Sequence, residues 1–250
     1  MFNLFKMSVR DRYLGSSLGS FWAVTNPLFM LGLYTYVFGF VFKVKLPGAE
    51  TTLAYVIWLI SGYGPWIAMT ESIMGATNSV IGASGLVKNL AFKTELLPIA
   101  GAMVGLINLA VSLLFLLLLM VWAGTPVSPY ILLLPLVVVL QFLFAAALGV
   151  WLSVVAVFVR DIVQMLPTLL TALMFMTPIF YPYESMPRMV QFASLVNPFY
   201  QIAEGYRSIL LRGEGPSIFG LVYVGLASLM IFCWGLAVFR RAKGSFDSAI

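Results

Sequence analysis

The side chains best placed to do chemistry in this chain are aromatic. Rings make up 15% of the residues, and one apolar run alone holds Phe21, Trp22, Phe29, Tyr34, Tyr36, Phe38, Phe40 and Phe42. Tyr34, Phe38 and Phe42 fall four apart and share a helical face, while Tyr36 and Phe40 share another. Spacing alone favours an ordinary interfacial belt or a packed core. A ring-lined conduit is the sharper reading. Aromatic faces pack against the apolar faces of sugar rings without fixing register, which suits a polymer that must slide. Phe175 and Phe180, five apart in a later run, extend the candidate set.

Other chemistries are excluded by composition. The chain has no histidine and a single cysteine, Cys233. Zinc sites, Ser-His-Asp triads and Cys-His dyads are therefore out of reach, and no metal site is expected. The lone cysteine has no partner for an intrachain disulfide. No G-x-x-x-x-G-K-[ST] occurs, so the chain carries no nucleotide-binding P-loop of its own. Glu71 is the one ionisable residue inside a predicted span, whereas proton-coupled transport usually needs several. It falls about 18 residues into that span, close to the inner surface, and reads as a carboxylate reaching the interface or bonding a neighbouring helix.

The elements that must position these residues are transmembrane helices. The 250 residues are 62% hydrophobic and 9% charged. Uncharged stretches run from Gly15 to Phe42, Thr51 to Thr70, Leu96 to Val159 and Pro216 to Phe239. A helical span needs about 20 mostly apolar residues to cross roughly 30 Å of hydrocarbon. Six spans fit, near 20–42, 53–75, 97–122, 131–158, 163–181 and 217–239. Gly124, Pro126 and Pro129 split the longest stretch into a hairpin. The runs are continuously apolar, without the period-two alternation of a barrel strand. The expected fold is an all-α polytopic membrane protein, one transmembrane domain over residues 1–250.

Orientation follows from Lys and Arg. With both termini inside, the inner side holds Lys6, Arg10, Arg12, Lys88, Lys93, Arg160, Arg240, Arg241 and Lys243, and the outer side Lys43, Lys45, Arg188, Arg207 and Arg212. Nine against five favours cytoplasmic N and C termini. The net charge of +5 is mostly this asymmetry rather than a nucleic-acid footprint. Charged Lys6 to Arg12 precede an apolar run too long for a signal peptide, so the first span is expected to be an uncleaved anchor.

Three connections carry further signals. In residues 1–16, Phe2, Phe5, Val9 and Tyr13 form a stripe beside Lys6 and Arg10, which suits a helix lying in the inner interface. In the inner loop Asn78 to Leu97, Gly82 and Gly85 break the preceding helix. A short surface helix follows, with an apolar face of Leu86, Val87, Leu90 and Ala91; it reads either as a docking knob or as packing against the bundle. Residues 182–215 contain Pro182, Pro187 and Pro198 yet remain too apolar for a solvated loop. Two short helices dipping toward the membrane and broken at Asn197-Pro198 fit better, as a pore entrance or gate.

Several motifs occur in one order along the chain: Arg10-Asp11-Arg12-Tyr13, Ser17-Leu18-Gly19, Phe21-Trp22-Ala23, Asn26-Pro27-Leu28 and Val37-Phe38-Gly39. They continue with Gly85-Leu86-Val87-Lys88-Asn89 through Phe92 to Leu97-Pro98, then Arg160-Asp161-Ile162. Thr177-Pro178-Ile179-Phe180-Tyr181-Pro182 with Met186-Pro187 follows, and the last is Asn197-Pro198-Phe199 with Glu204 and Tyr206-Arg207. On these residues the chain resembles the membrane subunit of bacterial type-2 ABC exporters for polysaccharides, the group of O-antigen, capsule and teichoic-acid transporters. Thr177 departs slightly, since Ser is as often expected there.

The resemblance implies a permease with six spans, paired as a homodimer in the bacterial inner membrane and served by two ATP-binding subunits on the cytoplasmic side. ATP and Mg would sit on those partners, leaving this chain without cofactor or catalytic residue. Residues 1–16 would form the interface helix, and Ser84, Gly85, Leu86, Val87, Lys88, Asn89 and Phe92 the coupling helix seated in an ATPase cleft. Residues 182–212 would be the re-entrant gate, with Tyr181, Pro182, Asn197, Pro198, Glu204 and Arg207 in the gate region. The helices bearing Tyr34, Phe38, Phe42, Phe175 and Phe180 would lie at the dimer centre. The expected substrate is a lipid-linked polysaccharide, O-antigen first. Capsule or teichoic-acid export and a drug or small-lipid exporter of the same fold are the alternatives. An intramembrane enzyme on lipid-linked sugars is disfavoured by the missing histidine and the scarcity of carboxylates.

Overall fold

The computed structural model describes residues 2–13, 19, 21–42, 51–87 and 93–246. Among these the secondary structure is helical, with no strand. The elements are α1 (Phe2–Tyr13), α2 (Phe21–Tyr34, continuing as a π-helix over Thr35–Val41), α3 (Thr52–Gly82), α4 (Ser84–Val87), α5 (Leu96–Ala102) and α6 (Gly105–Trp122). There follow α7 (Leu134–Phe158, after a 3-10 turn Pro129–Leu133), α8 (Asp161–Met176), α9 (Arg188–Leu195), α10 (Pro198–Arg207, continuing as a π-helix over Ser208–Arg212) and α11 (Ile218–Ala242).

Among the described residues five stretches are long and apolar enough to cross a membrane: Phe21–Val41, Thr52–Gly82, Leu96–Trp122, Pro129–Phe158 and Ile218–Ser245. They coincide with five of the six expected spans. The remaining one, 163–181, is the shorter helix Asp161–Met176. It stops at Thr177 because a residue before proline is pushed out of helical geometry, and Thr177 is extended with φ −98° and ψ 136°. Phe175 and Phe180 are therefore not on one helix.

Local chemistry sets the other boundaries. Thr51 caps α3, its Oγ1 accepting from the Ala54 amide at 3.2 Å. Asn197 caps α10 by accepting from the Phe199 amide at 3.0 Å, and Pro198 takes the first helical position. Gly124 closes α6 with φ +66°, a conformation glycine adopts at no steric cost. Helix α3 runs seven residues past the expected end at 75, to Gly82. Glu71 is thus followed by eleven more helical residues.

Helix α3 is the axis of the bundle and packs on α2, α5, α6, α7, α8 and α10. Lipid tails are as apolar as leucine, so helices associate in a bilayer through close contact at small residues. A Cβ on Gly75 would lie 2.6 Å from the Gly101 carbonyl oxygen, and one on Gly101 only 2.5 Å from that of Gly75. The backbones of α3 and α5 touch there. Gly105 lies as closely against Ala68 and Ser72, and Gly149 against Ala76.

The two ends of the bundle differ. At one, α1 packs on α5, and Leu4 joins a cluster of Val80, Leu97, Val157, Phe239 and Phe246. Glu95 sits there 3.9 Å from Arg240 and 4.0 Å from Lys243. At the other, Ser128 donates to the Gly213 carbonyl at 3.2 Å, joining the α6–α7 connection to the end of the 208–212 π-helix.

Candidate functional site

The site is built on a non-helical turn segment, Thr177 to Phe180, between α8 and the outer connection. Thr177, Pro178, Ile179 and Phe180 are all buried. Non-helical backbone inside a membrane protein must have its polar groups satisfied by the protein. Three successive carbonyls receive side-chain donors from two other helices. Arg207 Nη1 donates to Pro178 O and Nη2 to Ile179 O, each at 2.9 Å. Tyr55 Oη donates to Phe180 O at 3.1 Å. Asn197 Nδ2 donates to Thr177 Oγ1 at 3.0 Å, so the α10 cap is also tied to the segment.

Helix α3 supplies the seat for Arg207. Tyr55, Trp58 and Gly62 recur at i, i+3 and i+7 and share a face. The guanidinium carbon lies 3.9 Å from the centroid of the Trp58 ring, in cation–π geometry. A Cβ at position 62 would come within 2.5 Å of Nη2, so glycine is what leaves room for the fork. One turn away, Tyr206 donates to Gln141 Oε1 at 2.7 Å, and Gln141 Nε2 donates to Pro65 O at 3.1 Å. Helix α10 is thereby anchored to both α3 and α7.

Against this clamp stands the aromatic cluster. The Phe180 ring is at its centre, with ring centroids 5.0 Å from Tyr34, 4.7 Å from Phe38, 5.5 Å from Tyr63 and 5.5 Å from Phe175. Phe42 joins through Phe38 at 5.6 Å. All five conduit candidates thus fall in one connected set. Their exposure differs: Phe180 is 1% exposed, Phe175 48% and Phe42 65%. Tyr36 and Phe40 are exposed on the opposite face of the same segment. A cleft of about 680 Å³ opens beside Phe175, lined also by Met176, Tyr181, Met186, Met189 and Val190.

The gate-region candidates divide. Arg207 is in the clamp, Asn197 and Pro198 form the break before α10, and Tyr181 donates to the Phe175 carbonyl. Pro182 is buried at the start of the outer connection. Glu204 turns away from the clamp and pairs with Arg212 at 2.6 Å. Of the coupling candidates, Ser84, Gly85, Leu86 and Val87 form α4, immediately after α3. Lys88, Asn89 and Phe92 lie outside the described residues. Sequence reasoning missed Tyr55, Trp58, Gly62, Tyr63 and Gln141. The Tyr55, Trp58 and Gly62 stripe was its available signal.

Comparison with known proteins gives this architecture a family. The pattern of the family described as "ABC-2 type transporter" matches residues 1–211. The chain belongs to the ABC-2 type transporter family. An "O-antigen export system permease protein RfbA" of Klebsiella pneumoniae is 26% identical over 243 residues, covering 95% of this chain and 90% of the relative. One of the same description from Myxococcus xanthus is 25% identical, covering 100% of this chain and 95% of the relative. A "Polysialic acid transport protein KpsM" of Escherichia coli is 25% identical, covering 96% and 92%. Each of these ABC-2 relatives aligns with nearly the whole chain, so the clamp and the aromatic cluster both lie within the shared region.

Proposed function

We propose that this ABC-2 protein is the permease subunit of an ATP-driven exporter that moves a lipid-linked polysaccharide, O-antigen first, across the bacterial inner membrane. The observation that carries the reading is similarity over at least 95% of the chain to permeases named for O-antigen export and polysialic acid transport. Export of a different polysaccharide, capsule among them, is the second reading, supported by the similarity to a protein named for polysialic acid transport. The connected rings support a path whose walls hold sugar by their faces and still let it slide.

In this reading the sixth crossing is α8 together with its non-helical tail. Sixteen residues of helix cover about 24 Å, and the four clamped residues supply the remainder of roughly 30 Å. Both termini face the cytoplasm, in keeping with the nine-to-five charge asymmetry. Two copies pair as a homodimer with the aromatic faces toward the centre. Two ATP-binding subunits, carrying ATP and Mg, engage Ser84 to Phe92 from inside. Residues 1–16 lie in the interface, and residues 182–212 form the re-entrant gate. This chain supplies the path and the lever, while bond cleavage occurs on the partner.

The test is removal of the gene in its own host, followed by assay of lipid-linked polymer on each side of the inner membrane. Polymer accumulating on the cytoplasmic side, with export restored by the intact gene, is the expected result. Undiminished polymer at the surface of the deletion strain would overturn the assignment.

A further inference from the structure

We infer that Tyr55, Trp58 and Arg207 form a releasable latch that holds the outer end of the aromatic conduit shut. This rests on the export reading above and names the residues that position its closed state. They act through the backbone of 178–180, the segment that carries Phe180 into the centre of the ring cluster. Their donors reach three consecutive carbonyls of that segment, from α10 on one side and α3 on the other. Moving α10 away from α3 breaks the Arg207 bonds and frees the Phe180 ring from Tyr34, Phe38 and Tyr63 in one motion.

Three observations favour a latch over a permanent strut. First, Arg207 is 3% exposed, yet among the described residues its hydrogen bonds go only to neutral carbonyls and its Nε has no hydrogen-bond partner. The nearby Glu204 carboxylate pairs with Arg212 and gives Arg207 no hydrogen bond, so the buried cation is less firmly fixed than one in a hydrogen-bonded ion pair. Intramembrane charges retained at that cost mark functional positions. Second, the choice of arginine suits the task, because one planar fork spans two adjacent acceptors where lysine serves one. Third, π-helical segments flank the clamp: Ser208–Arg212 directly follows Arg207, and Thr35–Val41 carries Phe38. Such segments are rare and recur at functional sites. Beyond the first of them Gly213, with φ +64°, ends the helix.

The test is thiol accessibility in full-length protein in lipid nanodiscs, where both faces meet a hydrophilic maleimide. Cys233→Ser removes the native thiol. Ile179→Cys reports on the latch, and Thr77→Cys, fully buried elsewhere in α3, reports on general loosening. With Arg207 present both cysteines should react slowly. Arg207→Lys keeps the charge but loses one of the two bonds, so position 179 should react about tenfold faster while position 77 does not change. Tyr55→Phe should give a smaller rise in the same direction, and it keeps the proposal testable should Arg207→Lys not fold. An unchanged rate at position 179 in both variants refutes the latch. An equal rise at positions 179 and 77 refutes it too, since that is ordinary destabilisation. Polymer export by the deletion strain separates the two readings. Selective labelling of position 179, found together with undiminished surface polymer in the deletion strain, would overturn the export reading and leave only a releasable 178–180 segment.

Discussion

The sharpest test of the conduit is Phe42→Ala compared with Phe180→Ala, because burial separates two roles that sequence could not. Phe180 is 1% exposed and touches four rings. Truncating a buried phenylalanine costs about 3–5 kcal/mol in soluble cores. Part of that figure is transfer from water, which a bilayer largely removes, so the void and the lost contacts leave about 3 kcal/mol or less. At about 2–4 °C per kcal/mol for a chain of this size, Phe180→Ala should lower the melting temperature by up to about 6–12 °C. Phe42 is 65% exposed and meets one ring, Phe38. Its tilted pair contributes about 0.5 kcal/mol, so Phe42→Ala should move the melting temperature by no more than about 2 °C. Any loss of export in that variant therefore reports on the path and not on folding. The assay measures thermal unfolding of the purified protein and the rate of polymer appearance at the surface, normalised to folded permease. Trp122, 77% exposed on α6 and outside the ring cluster, is the control. Export at the parental rate by Phe42→Ala, alongside slowed export by Trp122→Ala, would refute the conduit.

Two further outcomes are expected. Gly101→Ala would place a Cβ 2.5 Å from the Gly75 carbonyl oxygen, forcing α3 and α5 apart; a loss of about 1–3 kcal/mol, read as a lowered melting temperature, is expected, and an unchanged one would show that the contact is not needed. Cysteines introduced at Lys88 and Ser245 should react only with reagents that cross the inner membrane, and one at Glu50 with impermeant reagents; labelling of position 88 from outside would reverse the orientation and remove the coupling assignment with it.

What the sequence determined was local. The length of an uncharged run and the residues that interrupt it are properties of neighbours along the chain. Five apolar runs were therefore legible as spans, and Asn197-Pro198 as a helix break, since a capping side chain and an N1 proline act within one turn. The four-residue recurrence of Tyr34, Phe38 and Phe42 was legible for the same reason. The tertiary structure decided the rest. Phe180 became the centre of the ring cluster because α8 stops at Thr177 and the chain then turns, so helical spacing no longer predicts where that ring points. Glu71 lies well before the end of α3 because the polar residues after position 75 are held helical by packing on α5 and by the hydrogen bonds that Thr77, Asn78 and Ser79 donate to the preceding turn, which no hydropathy window sees. Arg207 read as one more charge in an outer loop. What makes it a buried clamp is the set of acceptors it meets, Pro178 and Ile179, 28 or more residues away in sequence, and the Trp58 ring on α3. A side chain's charge is written in the sequence, but the groups that compensate it are brought to it only by the fold.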